Sequence, residues 1–238
     1  MIVGSFVSFR AARYLIRDDR IYPFAIAVVV GGLLGARVAH VLDNWNVYAP
    51  RPLDVLAFWN GGIGTTGAPV GSTIAGFLAA RRLRLPLGFM FDISVIGIAL
   101  GEAIGRVGDI INGEHHATPC TPPEGICVGF THPDTLGQAG PVHLVVAYDM
   151  IWDLSAVALT LWLRRFIGRW PDGVIFWIWA LHYAVGRFFL GFLRIGDPTY
   201  AFGLRQDQTI AFLVFAAAVT VLFRLVTRTR PQTRTFAV

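Results

Sequence analysis

Seven apolar segments, with arginine crowded into every second loop between them, constrain this chain more than any other feature of its sequence. They run over roughly 2–17, 22–43, 62–81, 87–111, 142–163, 171–193 and 207–225. A helix needs about 20 apolar residues to cross a bilayer, and most of these segments meet that length. The chain is 55% hydrophobic and 15% charged, where soluble domains carry about 25% charged residues. That balance excludes an ordinary soluble globular domain. It predicts an all-α polytopic bundle of about seven transmembrane helices, forming a single transmembrane domain over 1–227 with a basic cytoplasmic tail over 228–238. The third and fourth segments are rich in glycine, which allows them to be bent or re-entrant.

The arginines give the expected direction. All 20 basic residues are Arg. Arg10, Arg13, Arg17 and Arg20 follow the first segment, and Arg81, Arg82 and Arg84 follow the third. Arg164, Arg165 and Arg169 follow the fifth, while Arg224, Arg228, Arg230 and Arg234 close the chain. With alternating spans all four groups fall on one side, and by the positive-inside rule that side is the cytoplasm. The N-terminus is then outside and the C-terminus inside. A net charge of +5 and a pI near 9.8 raise nucleic acid as a partner. Here the arginines lie between spans instead of in one patch, so the expected partner is the lipid bilayer, with no nucleic acid. The apolar start Met1–Phe9 precedes Arg10, the reverse of a signal peptide's order. No cleavable signal is expected, and the first span reads as a half-helix or as one begun further upstream.

Residues 44–61, 112–141 and 194–206 then lie on the outer side, where Trp45, Tyr48 and Trp59 suit an interfacial aromatic position. Cys120 and Cys127, the two cysteines of the chain, share the longest of these loops. Their pairing in a disulfide that staples the 112–141 loop is expected. His115, His116 and His132 are nearby, but without ligand spacing no metal site is predicted. No cofactor is expected.

Four constellations carry possible chemistry. Gly105–Glu114 places Arg106, Asp109, Asn112 and Glu114 at the end of an apolar run, where charge is costly and marks function by default. In Trp59–Gly71, Thr66 and Gly67 precede a span. Such a segment either offers amides and hydroxyls to a phosphate or packs helices closely through small residues. Tyr183, Arg187 and Arg194 share one helical face. Arg187 lies deep enough to need a carboxylate or a lipid phosphate, while Arg194 reads as able to snorkel to the interface. Finally, His143 precedes Asp149, a membrane-embedded candidate counter-ion for Arg106 or Arg187. His143 itself reads as a capping or interfacial residue or as a base. Arg37 and Glu102 complete the set. Glu102 can pair with Arg106 one turn on, but three arginines in the outer halves of different spans together fit an anionic headgroup.

These residues resemble the bacterial prolipoprotein diacylglyceryl transferases. That family's signature Gly-Arg-x-Gly-Asn-Phe-x-Asn-x-Glu is similar to Gly105–Glu114. Its Gly-Gly…Gly-Gly/Ala-x-x-Gly segment resembles Gly61-Gly62…Gly67-Ala68…Gly71. Its His-Pro-x-x-Leu-Tyr-Glu-x-x-Trp element resembles His143–Trp152 with Asp149 for Glu, and its Tyr-x-x-x-Arg-Phe matches Tyr183 and Arg187-Phe188. Gly35-Ala36-Arg37 fits as well, and the resemblance runs in order from about 22 to 225. It implies a multi-pass enzyme of the bacterial plasma membrane. Such an enzyme moves the diacylglyceryl group of phosphatidylglycerol onto the lipobox cysteine thiol of a prolipoprotein signal peptide, and glycerol phosphate leaves. It implies Arg106, Arg187 and Glu114 as catalytic residues. Arg106, Asp109, Asn112, Gly67, Thr66, Tyr183, His143 and Arg37 are implied as substrate-binding.

Three positions depart from the family. Thr66 stands where a His is common, Asp109 replaces the signature Asn, and Gly191 replaces a Glu four residues after Arg187. Thr66 does not act as a base near neutral pH, which leaves Glu114, Asp109 or His143 to substitute. Two other classes remain beside the enzyme: a non-catalytic relative binding phosphatidylglycerol or lipidated partners, and a small transporter, for which no inverted repeat is visible.

Overall fold

The computed structural model describes residues 19–57, 59, 61–62, 67–112, 116–129, 140–195, 199 and 203–228. The expected first span at 2–17 and nearly all of the 228–238 tail lie outside them. The chain is mostly helical, with α1 (Ile21–Asp43), α2 (Gly67–Arg82), α3 (Leu87–Asn112), α4 (Val145–Leu163), α5 (Val174–Leu190) and α6 (Gln206–Arg228). Five of these, all but α2, are long and apolar enough to cross a membrane. Their exposed faces are apolar, as lipid requires. Leu33, Leu34 and Val38 line the open side of α1, and Phe212, Leu213 and Phe223 that of α6.

Two boundaries differ from expectation. The third segment, expected from 62, begins as helix at Gly67. Gly61 and Gly62 sit at φ of 80° and 82°, a left-handed backbone that cannot start an α-helix. At 16 residues α2 is shorter than a full crossing. The fifth segment, expected from 142, opens instead with β2 (Val142–His143), which pairs antiparallel with β1 (Cys127–Val128). His143 is therefore a strand residue, two positions before α4.

The chain divides into two compact units between Met90 and Phe91. In the first, α1 and α2 cross through glycine. A Cβ at Gly35 would meet the Gly71 Cα at 2.7 Å and the Gly67 carbonyl closer still, and Gly31 meets Ala75 in the same way. Ser72 Oγ donates to the Val28 carbonyl at 3.1 Å. Without water to drive helices together, such close backbone approach supplies the dispersion that holds them. This is the helix-packing reading of the Gly67–Gly71 segment.

The second unit is built on Val95, Ile96 and Ala99 of α3, Ala156 and Leu163 of α4, Ile175, Trp179 and Ala180 of α5, and Ala218 of α6. Buried Asp92 ties α3 to α5: its carboxylate accepts from the amides of Gly173 at 2.8 Å and Phe176 at 2.9 Å. Those amides have no intrahelical acceptor, so Asp92 caps α5 from a neighbouring helix.

A small cap closes the other end of this unit. Cys120 and Cys127 are joined by a disulfide with their Cα atoms 5.4 Å apart. The same loop bonds to both flanking segments. Cys120 N–H donates to Pro141, Thr118 N–H to Leu193, and Ile195 N–H to His116. After a 3-10 turn at Gly191–Leu193, Arg194 is thus held as extended backbone against the stapled loop.

Candidate functional site

Charged side chains from four helices of the second unit meet beneath this cap. Asp149, one turn into α4 and buried, is the centre. Its Oδ2 accepts from Nη2 of Arg194, lies 3.8 Å from Arg187 Nη1 and 4.0 Å from Arg106 Nη1. One turn on, Asp153 Oδ2 accepts from Arg106 Nε at 3.1 Å. Asp109 Oδ2 accepts from Arg106 Nη1 at 3.1 Å. Asp207, at the start of α6, lies 3.9 Å from Arg187 Nε. Removing one member of this network takes a partner from a buried charge, which is destabilising.

The expected counter-ion role of Asp149 is thus found, toward Arg106 and Arg187 together. Arg194 differs from its snorkelling reading: it is 6% exposed and bonded to Asp149. The cap accounts for this. Ala117 forms a bridge with Arg194, and the bonds of Thr118 and Ile195 fix the backbone on either side, turning the side chain inward. Glu102 differs too. Arg106 takes Asp153 and Asp109, and Glu102 Oε2 is left buried with no hydrogen-bond partner.

Tyr183 stacks on Trp179 with ring centroids 5.7 Å apart and sits within electrostatic range of Arg187, Glu102, Arg106 and Asp153. Trp152 stacks on His182 at 4.4 Å and donates to its carbonyl at 3.0 Å. A Cβ at Gly186 would fall on the Trp152 ring, so the glycine one residue before Arg187 makes room for it.

Other expected site residues take different places. His143 belongs to the cap, its Nδ1 3.4 Å from the Tyr148 hydroxyl, which itself accepts from Ile126 N–H at 2.7 Å. Arg37 lies in the first unit. Its guanidinium donates to the carbonyls of Asp54, Val55, Ala57, Gly61 and Gly62 at 2.6–3.2 Å. Its donors are engaged in holding the loop before α2, so the structure gives it a loop-building role where headgroup contact was expected. Gly67 serves the α1–α2 crossing. Asn112 ends α3, and Thr66 and Glu114 fall outside the described residues.

Two of the three departures acquire a physical setting. Asp109 does not stand as an isolated charge beside Arg106, since the two are paired. At Gly191 a Cβ would meet Gln208 Cγ at 2.7 Å and Asp207 Oδ2 at 3.1 Å. The space that a side chain at 191 would enter already holds a carboxylate, supplied from α6. Sequence reading passed over Asp207 and Asp153. Their only signal was a carboxylate at the margin of, or within, an apolar span.

Buried and arginine-rich, this cluster is gathered beneath the stapled loop, among helices long and apolar enough to cross a membrane. The model of the family described as prolipoprotein diacylglyceryl transferase matches residues 1–224. Curated relatives named phosphatidylglycerol–prolipoprotein diacylglyceryl transferase agree along most of the chain. The one from Dehalococcoides mccartyi is 33% identical over 213 residues, covering 87% of this chain and 78% of its own. That of Synechococcus elongatus is 33% identical over 225 residues, covering 92% and 78%. That of Corynebacterium diphtheriae is 31% identical over 245 residues, covering 94% and 86%. The chain belongs to the prolipoprotein diacylglyceryl transferase family.

Proposed function

We propose that this chain transfers the diacylglyceryl group of phosphatidylglycerol to the lipobox cysteine thiol of prolipoprotein signal peptides, the first step of bacterial lipoprotein maturation. The observation that carries the site assignment is the convergence of Arg106 and Arg187, from α3 and α5, on one anionic position now held by Asp149 Oδ2 at 4.0 and 3.8 Å. Arg187 Nη1 is buried there without a hydrogen-bond acceptor, a donor prepared for an oxygen it does not yet have.

The chemistry follows from charge. The carbon–oxygen bond between glyceryl and phosphate breaks, and negative charge grows on the departing glycerol phosphate. Permanently charged guanidiniums fixed beforehand by Asp153, Asp109 and Asp207 stabilise that charge without reorganising. Tyr183 extends the polar wall of the site. Glu114, Asn112 and Thr66 are assigned to the substrate by resemblance. His143 and the cap border the same unit. The protein lies in the bacterial plasma membrane, with the N-terminus and the cap outside and the arginine-rich loops in the cytoplasm.

The test is thioether formation on a lipobox peptide supplied with phosphatidylglycerol. Arg106→Ala and Arg187→Ala are expected to abolish it. Wild-type turnover in both would refute the site assignment, and absence of product from the unaltered protein would refute the activity.

A further inference from the structure

The transfer needs a proton acceptor, because the thiolate is the nucleophile and a free thiol, with a pKa of about 8.5, is mostly protonated near neutral pH. Among the described residues of the second unit, most of the candidate groups are already committed. Asp109 and Asp153 accept hydrogen bonds from Arg106, Asp149 from Arg194, and Asp207 faces Arg187. A proton placed on any of them would remove one of the charges that hold a buried guanidinium in place, which is costly. His143 is engaged with Tyr148 in the cap. His182 lies flat on Trp152, its Nε2 3.0 Å from Ser155 Oγ. Among the described residues no charged group of the arginine cluster acts on it.

Glu102 stands apart. Among the described residues its Oε2 is buried and accepts no hydrogen bond, as is also true of Asp207 Oδ2. But where Asp207 keeps an ion pair with Arg187 at 3.9 Å, Glu102 has none, an arrangement that costs free energy and calls for an explanation. The residue sits one turn before Arg106 on α3. The charges that act on it are Asp153 and Asp149 of α4, Arg106 of its own helix and Arg187 of α5, with Tyr183 of α5 in the same field. It lies within electrostatic range of the groups that build the anion position and, among the described residues, is bonded to none of them. It can therefore gain and lose a proton while every arginine keeps its partner.

We infer that Glu102 takes the proton of the acceptor thiol during transfer, an assignment that rests on the proposed function. The Glu102 carboxylate accepts the S–H proton. The sulfur electron pair forms the new bond to the glyceryl carbon, and the bond from that carbon to the phosphate oxygen breaks with its pair on the oxygen. The proton then passes from Glu102 to the departing glycerol phosphate, which restores the carboxylate.

Glu102→Gln keeps the shape of the side chain and removes its basicity. The expected result is a kcat lower by about 100-fold or more, with KM for phosphatidylglycerol little changed. The acidic limb of the kcat–pH profile disappears, and the rate recovers as pH approaches the thiol's own ionisation. Glu102→Asp retains the acidic limb at reduced rate. Wild-type kcat and pH profile in Glu102→Gln would overturn the inference. So would a lowered kcat with the limb intact and no recovery at high pH, the mark of a merely structural role. Thermal melting in detergent establishes that each variant is folded. Failure of the unaltered protein to form product would instead strike the proposed function.

Discussion

Arg106 Nε donates to Asp153 Oδ2 at 3.1 Å, across 47 positions of sequence. This bond fixes one edge of the guanidinium, while Asp109 takes a donor from the other. Asp153→Asn keeps an acceptor and loses the charge; Asp153→Ala loses both. Because charge-assisted bonds are roughly twice as strong as neutral ones, kcat/KM is expected to fall about 10-fold in the first and further in the second. Steady-state thioether formation measures both, and equal rates in the two variants would count against orientation by charge.

Arginine at 187 is engaged on two sides, toward Asp149 and toward Asp207. Lysine offers one point charge on a flexible stem and cannot span two carboxylates and an anion in fixed geometry. Arg187→Lys is therefore expected to lose nearly as much activity as Arg187→Ala. Rates within a few-fold of wild type for the lysine variant would show that charge alone suffices.

The carboxylate beside Arg187 comes from α6 because Gly191 leaves the space open. Gly191→Glu alone is expected to overpack this site at a cost of about 1–3 kcal/mol and to lower activity. Asp207→Gly alone removes one of the two carboxylates that face Arg187. The double variant moves the carboxylate from one helix to the other and is expected to recover part of both losses. A double variant no better than the worse single one, in melting and in turnover, would refute the exchange.

The disulfide closes a short loop, for which chain entropy sets a stabilisation of about 2–3 kcal/mol. Replacing Cys120 and Cys127 with serine is expected to speed hydrogen exchange at the amides of Thr118 and Ile195, which bind across the cap. With Arg194 less well fixed, turnover falls in part. Unchanged exchange at these amides would mean that the strand pairing holds the cap unaided.

Asp92 accepts two amides at the start of α5 and lies in the same unit's core. Asp92→Ala leaves both donors buried and unmet, at about 1–3 kcal/mol each. A lowered melting temperature with near-normal activity below it is the expected outcome. Loss of activity without loss of stability would point to a role beyond capping.

The helices able to cross a membrane were legible because they rest on a coarse pattern, apolar length, that survives without knowledge of packing. The small residues at Gly67 and Gly71 were legible for a similar reason, as one of two readings of their segment, while Gly31 and Gly35, which they meet, drew no packing expectation. Arg106, Arg187 and Asp149 stood out as charges in apolar surroundings. Their partners did not. Asp207 comes to Arg187 from the start of a different helix, and Arg194 points inward because the stapled loop holds its backbone. The loop contacts of Arg37 were not legible because its acceptors are backbone carbonyls, which every residue possesses and no sequence pattern marks.

The ion-paired cluster draws on α3, α4, α5 and the first turn of α6. During synthesis Arg106 enters the bilayer first, followed by Asp149, Asp153 and Arg187, and Asp207 leaves the ribosome last. At about 5–20 residues per second, Arg106 waits seconds for Asp153 and several more pass before the set is closed. Until then the nascent chain holds uncompensated charge at membrane depth, with Asp109, one turn away, as the local partner Arg106 already carries. A ribosome stalled before α6 would yield a chain with its spans largely in place and its site open, a natural substrate for membrane quality control.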